Sequence, residues 1–273
     1  MPPKNLMNII RTKNIPIPIP IPIPVEKQAD NPHINSESKI LVLYVFHKYN
    51  ERVEHFIKHA IFKDPMFDFV IICNDRTIEI AVPDYVTVLK RDNIGYDFGA
   101  WSEGLLRDDR YKAYNYCVFV NSSIIGPYLP DGYTKPWPFR FLDGLHGNIR
   151  LFGSTINTIR DPVNKSHVQS FAFAMDREAL EYLISKEIFS LTKFAQTFKD
   201  AIWQHEVRMS REVLTHGWNI GSLMHHYTDV DFTFASRDPA SYGIMWHDDL
   251  MYPACGLDRK EVMFMKGNRG FAL

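Results

Sequence analysis

Two short polar segments of the chain contain the residue types that bind a diphosphate. The first is Asn93-Ile-Gly95-Tyr-Asp97-Phe-Gly99-Ala-Trp101, and the second is Asn121-Ser122-Ser123-Ile-Ile-Gly126-Pro127. Glycines allow a backbone to approach a ligand closely, and the free N–H groups at a helix start attract anions. The first segment is typical of a glycine-punctuated helix start, and the second of the polar end of a buried strand. We therefore expect a phosphate-binding site where the two segments meet.

Apolar runs and helical patterns alternate along the chain around these segments. The predicted strands are Ile40–Phe46, Phe67–Cys73, Val86–Leu89, Tyr116–Val120 and Ser170–Met175. The predicted helices are Glu51–Ile61, Phe98–Leu106, Arg177–Ser185, Leu191–Ala201 and Glu206–His216. This alternation predicts one α/β domain with a mixed, mostly parallel sheet flanked by helices. Ligands of open α/β sheets bind beyond the carboxyl ends of the strands, which is where both polar segments fall.

The N-terminal part of the chain differs in composition from the rest. Proline occupies every second position from Ile15 to Pro24, which excludes a helix and favours an extended, polyproline-like rod. We interpret residues 1–37 as a disordered Ile-Pro-rich linker and residues 38–273 as the folded domain. The repeat is compatible with a spacer, with a ligand for a partner's groove, or with a tolerated expansion of a simple repeat.

The overall composition excludes several classes of function. The net charge is −1 and the basic residues do not cluster, so nothing indicates nucleic-acid binding. Cys73, Cys117 and Cys255 lack C-x-x-C spacing, and we expect them to be reduced, the first two within strands. No apolar run reaches the roughly 18 residues of a membrane span, and no signal peptide is evident. Together these features predict a soluble, cytoplasmic protein without a membrane span.

Transfer of a sugar from a nucleoside diphosphate makes four chemical demands. It needs a site for base and ribose, neutralisation of the diphosphate charge, a carboxylate that accepts the acceptor's proton, and an acceptor pocket. The candidate donor-binding residues follow predicted strands or flank the glycine turn: His47, Asn74, Asp75, Asn93, Gly95, Asp97, Asn121, Ser122 and Ser123. Ordinary loop polarity also explains His47, Asn74 and Asp75, and a helix cap also explains Asp97.

Four segments of the chain resemble motifs of the rhamnan synthesis protein F group of glycosyltransferases. The Asn93 to Trp101 segment resembles its N-x-G-x-D-x-G-A motif, and Val120 to Pro127 is similar to its N-D-S-x-x-G-P motif. His167-Val-Gln169-Ser170 resembles its H-x-Q-S segment, and Glu206-Val-Arg-Met-Ser210 its E-x-x-x-S helix start. The resemblance covers roughly residues 39–228.

This resemblance implies a single GT-A-like (Rossmann-like) domain, with a donor half at residues 38–130 and an acceptor half at residues 131–273. It also implies a nucleotide-sugar donor, which is a UDP-, GDP- or dTDP-sugar, and a glycan or cell-surface polysaccharide as the acceptor. Lys266 and Arg269, near the end of the chain, are candidates for neutralising the diphosphate or are ordinary surface charges.

One departure from the family motif concerns a metal. GT-A enzymes usually hold Mn²⁺ or Mg²⁺ with a D-x-D-type motif, because a hard dication prefers carboxylate oxygens. Here the strand tip is Asn121-Ser122-Ser123, with serine where the family has aspartate. Three interpretations stay open: a metal held mainly by donor phosphates, with Ser123 and His247 as candidate ligands; a metal-independent site; or lost catalysis. The literal D-x-D, Asp229-Val230-Asp231, is far downstream and is interpreted as surface carboxylates.

By the same resemblance, Glu206 is the expected base that accepts the acceptor's proton, and Asp97 is the reserve candidate. A first-turn glutamate favoured by the helix dipole is the alternative explanation of Glu206. Gln169, Ser170 and Trp203 are the expected acceptor contacts, although single aromatic residues more often belong to the core.

The combined prediction is a glycosyltransferase that moves a sugar from a nucleoside-diphosphate sugar to a glycan hydroxyl, with inversion assisted by a carboxylate base. The alternative is a non-catalytic relative that binds glycan or nucleotide without turnover, and the serine at position 122 favours it. A dinucleotide oxidoreductase is disfavoured, because no G-x-G-x-x-G follows the first strand.

Overall fold

The computed structural model describes residues 30–158, 165–237, 239–242, 244 and 257–267. Three positions discussed above, His247, Cys255 and Arg269, lie outside the described residues, as does the Ile-Pro tract. None of the described helices combines the length and the apolar composition that crossing a membrane requires.

A seven-stranded mixed sheet forms the centre of the described domain. The strands are β1 (Ile40–Phe46), β2 (Phe67–Cys73), β3 (Thr87–Lys90), β4 (Tyr116–Asn121), β5 (Ile124–Ile125), β6 (Ile149–Gly153), β7 (Ile156–Asn157), β8 (His167–Val168), β9 (Ala172–Asp176), β10 (Asn219–Ser222) and β11 (Met265–Lys266). The order in the main sheet is β10-β6-β9-β4-β1-β2-β3. Its neighbours pair in parallel except at β9, which is antiparallel to both β4 and β6. The predicted mixed, mostly parallel sheet is confirmed.

Helices flank this sheet, as the sequence pattern predicted. They are α1 (Glu51–His59), α2 (Tyr96–Leu106), α3 (Phe139–Leu142), α4 (Arg177–Ser185), α5 (Phe198–Asp200), α6 (Arg208–Thr215) and α7 (Arg259–Val262). A π-helical turn, Ala201–Val207, joins α5 to α6, and 3₁₀ turns span Arg107–Ala113, His225–Tyr227 and Pro239–Tyr242. The predicted bounds of β1, β2 and α4 agree with the structure to the residue.

The core lies on both faces of the sheet, because every residue of the central strand β1 is apolar and buried. In β1, Leu43 belongs to the cluster that also contains Trp101 of α2, whereas Tyr44 belongs to the opposite cluster. The Tyr44 ring stacks on Phe56 of α1 at a centroid distance of 3.9 Å. Trp101 is fully buried, so it is a core residue and does not face a ligand. Cys73 and Cys117 are buried in β2 and β4 with free thiols, as expected.

The predicted helix Leu191–Ala201 is wrong, because the helix begins only at Phe198. The Ser190 hydroxyl oxygen accepts hydrogen bonds from the backbone N–H groups two and three residues later, which stabilises a turn in place of a helix. Thr197 and Asp200 then form a reciprocal capping box, which sets the helix start.

The prediction that a helix starts at Glu206 is also wrong. Helical structure continues from Phe198 through the π-helical turn into α6, and Glu206 lies within that turn. A favourable interaction with a helix N-terminus therefore does not explain this glutamate. Single π-helical turns within α-helices occur frequently at functional sites.

The described chain already contacts the domain before residue 38. Asn31 is buried, and its side-chain amide donates hydrogen bonds to the carbonyl oxygens of Leu142 and Leu145, at 3.0 and 2.6 Å. Its backbone N–H donates to the Asp143 carboxylate at 3.1 Å. The segment that follows the Ile-Pro tract is thus tied to the end of α3.

Candidate functional site

The predicted site residues meet at one edge of the sheet. β1 and β4 run in parallel with Val45 opposite Asn121, so the carboxyl ends of both strands are at the same edge. Because β9 is antiparallel to β4, its beginning is also at this edge, and the Asn121 N–H donates to the Phe171 carbonyl at 3.0 Å. His47 and Ser170 follow β1 and precede β9, respectively, and therefore lie at this edge too.

The two polar segments contact each other directly. Gly95 caps α2 with a φ of +74°, a conformation that favours glycine, and a Cβ added there would lie 2.8 Å from the Phe194 ring. Asp97 follows in the first turn, and its Oδ2 accepts a hydrogen bond from the Asn121 amide at 2.9 Å. The Asn121 amide oxygen in turn accepts from the Ser123 backbone N–H and hydroxyl, at 3.0 and 2.6 Å. The expected meeting of the two segments is thus present.

Glu206 lies in the same neighbourhood, with its carboxylate held by partners. Its Oε2 accepts hydrogen bonds from the Ser170 hydroxyl and from the Ser170 backbone N–H, the latter at 2.8 Å. His167 Nε2 is 3.6 Å from the other carboxylate oxygen. Burial acts to raise the pKa of Glu206, but the interactions with His167 and Ser170 outweigh it and lower the pKa to about 2.

Asp97 shows the opposite shift. Burial raises its pKa to about 6, the hydrogen bond from Asn121 opposes this rise, and the negative charge of Glu206 adds to it. Two neighbouring carboxylates with pKa values pushed apart are typical of acid–base sites. Burial and the charge of Glu206 thus favour the protonated form of Asp97, whereas His167 and Ser170 stabilise the anionic form of Glu206.

A buried arginine that sequence reasoning missed connects the segments around the candidate site. Arg91 is 1% exposed and follows β3 directly. Its guanidinium donates to the side chains of Asn74 at 2.6 Å and Glu103 at 2.9 Å, and to the Ile94 carbonyl at 2.7 Å. It thereby links the end of β2 to the loop that leads into Gly95. Its position at a strand end was the only signal in the sequence, because a loop arginine is usually exposed.

The remaining donor-side candidates lie on the same edge. His47 Nδ1 is 2.9 Å from the Asn74 carbonyl oxygen, so the ends of β1 and β2 are joined through these two residues. Asn93 is exposed in the loop before α2. Asp75 is partly exposed, and hydrogen bonds from the Thr77 hydroxyl and backbone N–H lower its pKa. Asp75 thus shapes its own turn.

A comparison with protein-family models decides the family. The model described as rhamnan synthesis protein F matches residues 69–245, which is more than half of the chain. The chain belongs to the rhamnan synthesis protein F family. Family membership indicates a glycosyltransferase-like function related to rhamnan synthesis, and the matched span includes both Asp97 and Glu206. A comparison with curated proteins gave no match.

Two cations lie beside the Asn121-Ser122-Ser123 tip of this rhamnan synthesis protein F family member. Arg52, at the start of α1, donates from Nε to the Ser122 carbonyl oxygen at 3.0 Å. β11 pairs antiparallel with β5, and the next residue, Gly267, donates its N–H to the Ser123 carbonyl at 2.8 Å. Lys266 in this strand has its ammonium 5.6 Å from the centre of the Phe171 ring. Lys266, one of the two candidate cations from the end of the chain, therefore lies at the edge of the candidate site.

The tip does not fit a D-x-D-type metal site. It contains no carboxylate, and the Asn121 amide oxygen already accepts two hydrogen bonds from Ser123. Mg²⁺ and Mn²⁺ prefer carboxylate oxygens that can face the ion directly. Downstream, Asp229 is exposed, and Asp231 accepts hydrogen bonds from Thr233 within its own turn.

The predicted acceptor residues differ in exposure. Gln169 is 1% exposed, and its side-chain oxygen accepts from the Thr155 hydroxyl at 2.7 Å, so it supports the segment before β9 from inside. Ser170 holds Glu206. Trp203 is 38% exposed, and the Lys165 ammonium lies 4.9 Å from the centre of its ring system. Trp203 therefore presents an aromatic surface to solvent.

Two further aromatic residues near this side were missed by sequence reasoning. Phe198, at the start of α5, is 68% exposed, and its ring lies 6.3 Å from that of Tyr96 at the start of α2. Exposed aromatic rings can stack on sugar faces, and these two connect the start of α2 to the start of α5. Trp218, by contrast, packs edge-on against Tyr182 at 5.5 Å.

Proposed function

We propose that the protein is a nucleotide-sugar glycosyltransferase that uses Asp97 as the base. The single observation that carries this proposal is the meeting of two carboxylates, Asp97 and Glu206, at one edge of the sheet: Asp97 accepts a hydrogen bond from the Asn121 amide at 2.9 Å, and Glu206 accepts one from the Ser170 backbone N–H at 2.8 Å. One of them is tuned to accept a proton near neutral pH, and both lie beside the segment that carries Asn121.

In the proposed reaction, the diphosphate of the donor lies between the start of α2 and the Asn121-Ser122-Ser123 tip. The acceptor hydroxyl loses its proton to Asp97 while its oxygen attacks the anomeric carbon of the sugar. The bond from that carbon to the diphosphate oxygen breaks, and the electron pair leaves with the nucleoside diphosphate. A single displacement of this kind inverts the anomeric centre.

We propose that charge neutralisation comes from the protein and does not require a metal held by the tip. Arg52 uses Nε for the Ser122 carbonyl, and its two other nitrogens have no hydrogen-bond partner among the described residues. The ammonium of Lys266 is near the same edge. Preorganised cations beside a leaving diphosphate stabilise the charge that develops on it.

The second candidate function is a binding module that recognises a nucleotide sugar or glycan without turnover. The absence of an aspartate at position 122 favours it. The two candidates differ in whether Asp97 contributes to a chemical step, so they can be separated by experiment.

The test begins with thermal-shift and calorimetric titrations of UDP-, GDP-, dTDP- and CDP-sugars, each with and without Mn²⁺ or Mg²⁺. A ligand that binds only the folded state must raise its stability. We expect one nucleotide sugar to stabilise the protein equally with and without metal. Stabilisation that requires Mn²⁺ would refute the metal-independent site, and no stabilisation by any sugar would refute the donor assignment.

The chemical role is tested with Asp97→Asn in a transfer assay with the stabilising donor. We expect donor affinity to persist and the transfer rate to fall by about 10²- to 10⁴-fold, the range for loss of a general base. Asp92→Asn is the matched control, because Asp92 is in the same loop region but is exposed and paired with Arg76. Wild-type protein that binds the donor without any transfer to glycan acceptors would favour the binding module.

A further inference from the structure

Three metal-ligating side chains converge at a place that the proposed transfer reaction does not use. His225 and His226 form the 3₁₀ turn after β10, and Glu261 belongs to α7. One potential ligand atom from each of the three lies within 4.8 Å of the others. Within the part of the chain that the structure describes, this is the one group of three or more such side chains.

The carboxylate of this group is already oriented. Glu261 Oε1 accepts the His225 backbone N–H at 2.9 Å and is 2.5 Å from His225 Nδ1. The Glu261 side chain is 13% exposed, whereas that of His225 is 50% exposed. The Glu261 carbonyl oxygen also accepts from buried Arg140 at 3.0 Å, which fixes this turn of α7. A metal would therefore find one ligand fixed and one imidazole that can move.

The chemistry of these ligands selects among metals. Two imidazoles and one carboxylate form a frequent zinc set, which leaves a fourth tetrahedral position for water or another ligand. Neighbouring ligand atoms on one tetrahedral zinc are about 3.3 Å apart, given bonds of about 2.0–2.1 Å. From the 4.8 Å limit, the ligand atoms need to approach one another by at most about 1.5 Å, which rotation of the exposed histidine rings can provide. Mg²⁺ and Ca²⁺ prefer oxygen ligands and do not suit two imidazoles.

We propose that His225, His226 and Glu261 bind one Zn²⁺ ion. The site connects the end of β10 to the segment 257–267, here termed the C-terminal arm. This arm continues from Glu261 to β11, which pairs with β5 next to the serine tip. Zinc at this place stabilises the attachment of the arm, and with it the position of Lys266.

The competing explanation is an ordinary ion pair between His225 and Glu261. It differs from the proposal in its dependence on His226, because an ion pair needs only two of the three side chains. Removal of His226 therefore discriminates between the two, and the test requires no nucleotide sugar, so its outcome is independent of the proposed transferase activity.

The experiment uses tag-free, full-length protein that has been treated with a chelator and dialysed. Zn²⁺ alone is titrated calorimetrically, bound zinc is counted by elemental analysis, and Co²⁺ is added separately as a spectroscopic probe. We expect one bound zinc per chain, a raised melting temperature, and the visible absorption of a protein-bound Co²⁺. His226→Ala should weaken zinc binding by more than about ten-fold, because each ligand contributes to the binding free energy.

His146→Ala is the matched control, because His146 is an exposed histidine in a turn and is not part of the group. Its zinc affinity should equal that of the wild type. Glu261→Gln provides a second variant in case His226→Ala does not fold, and it should also weaken binding and abolish the Co²⁺ spectrum. Folded wild-type protein that binds no zinc, or equal zinc binding in the His226 and His146 variants, would overturn the proposal.

Discussion

The raised pKa of Asp97 predicts a specific pH dependence of sugar transfer. If Asp97 is the base, only its ionised form is active, and the acid limb of kcat/KM should have its midpoint near the pKa of about 6. At pH 5, about a tenth of the maximal activity should remain, because one pH unit below the pKa corresponds to a ten-fold excess of the protonated form. A carboxyl with the ordinary aspartate pKa of 3.8 would leave more than about nine tenths of the activity at that pH.

The variant Glu206→Gln tests the cause of this shift. The negative charge of Glu206 contributes to the raised pKa of Asp97, after burial, so its removal should move the acid limb below the wild-type midpoint. Glutamine keeps the shape and can still accept a hydrogen bond from Ser170. Glu212→Gln is the control, since Glu212 is in α6 and is paired with Arg208 at 3.1 Å. It should leave the midpoint unchanged.

The assay is the initial rate of transfer at subsaturating donor concentration, measured from about pH 5 to pH 8, because kcat/KM reports the ionisations of the free enzyme. The lowered pKa of Glu206 adds stability that is fully present above its ordinary pKa of 4.5 and is lost as the pH falls toward 2, below this window. A wild-type rate that stays constant from pH 5 upward, with no acid limb in this window, would refute the assignment of Asp97. A midpoint that does not move in Glu206→Gln would refute the charge coupling.

Three further predictions concern the supports of the site. Arg91→Met should lower the free energy of unfolding, measured by urea denaturation, by about 3–5 kcal/mol, because it leaves buried partners unpaired. Arg76→Met is the control: it removes an exposed ion pair and should lower the free energy of unfolding by less than about 1 kcal/mol. Equal losses would show that the buried position of Arg91 is unimportant. Gly95→Ala and Gly132→Ala impose similar backbone strain, because the φ angles are +74° and +76°. The added methyl group meets close neighbours only at Gly95. Donor affinity, measured by calorimetry, should therefore fall in Gly95→Ala and not in Gly132→Ala. Trp203→Ala should raise the acceptor KM by about 2- to 12-fold, because a lost stacking contact costs about 0.5–1.5 kcal/mol. The donor dissociation constant should not change. An unchanged acceptor KM would remove this residue from the acceptor site.

The sequence predicted those parts of the structure that depend on local pattern. Apolar runs gave the bounds of β1 and β2, because β1 is apolar at every position and β2 is interrupted by a polar residue only at Asp68. The glycine-punctuated segment and the Asn121-Ser122-Ser123 tip were predicted at one ligand-binding edge, because carboxyl ends of parallel strands meet there. The structure adds that Asn121 and Asp97 are hydrogen-bonded.

The sequence failed where short-range side-chain contacts compete with helical periodicity. The apolar spacing after Leu191 favoured a helix, but the Ser190 hydroxyl stabilises a turn and the Thr197 capping box delays the helix start. The predicted helix start at Glu206 was wrong for a different reason. Apolar periodicity does not show that a π-helical turn precedes α6 and continues the helix toward the N-terminus.

Composition and periodicity by themselves determined the fold class, the order of most elements and the edge of the sheet where the candidate site lies. Only the tertiary structure decided the different environments of the two carboxylates, Asp97 and Glu206. The pKa of Asp97 depends on burial and on the charge of Glu206, and that of Glu206 on Ser170 and His167, all brought together from separate strands and helices. Propensities act over a few neighbouring residues, whereas desolvation and Coulomb interactions depend on distances that exist only once the chain has folded.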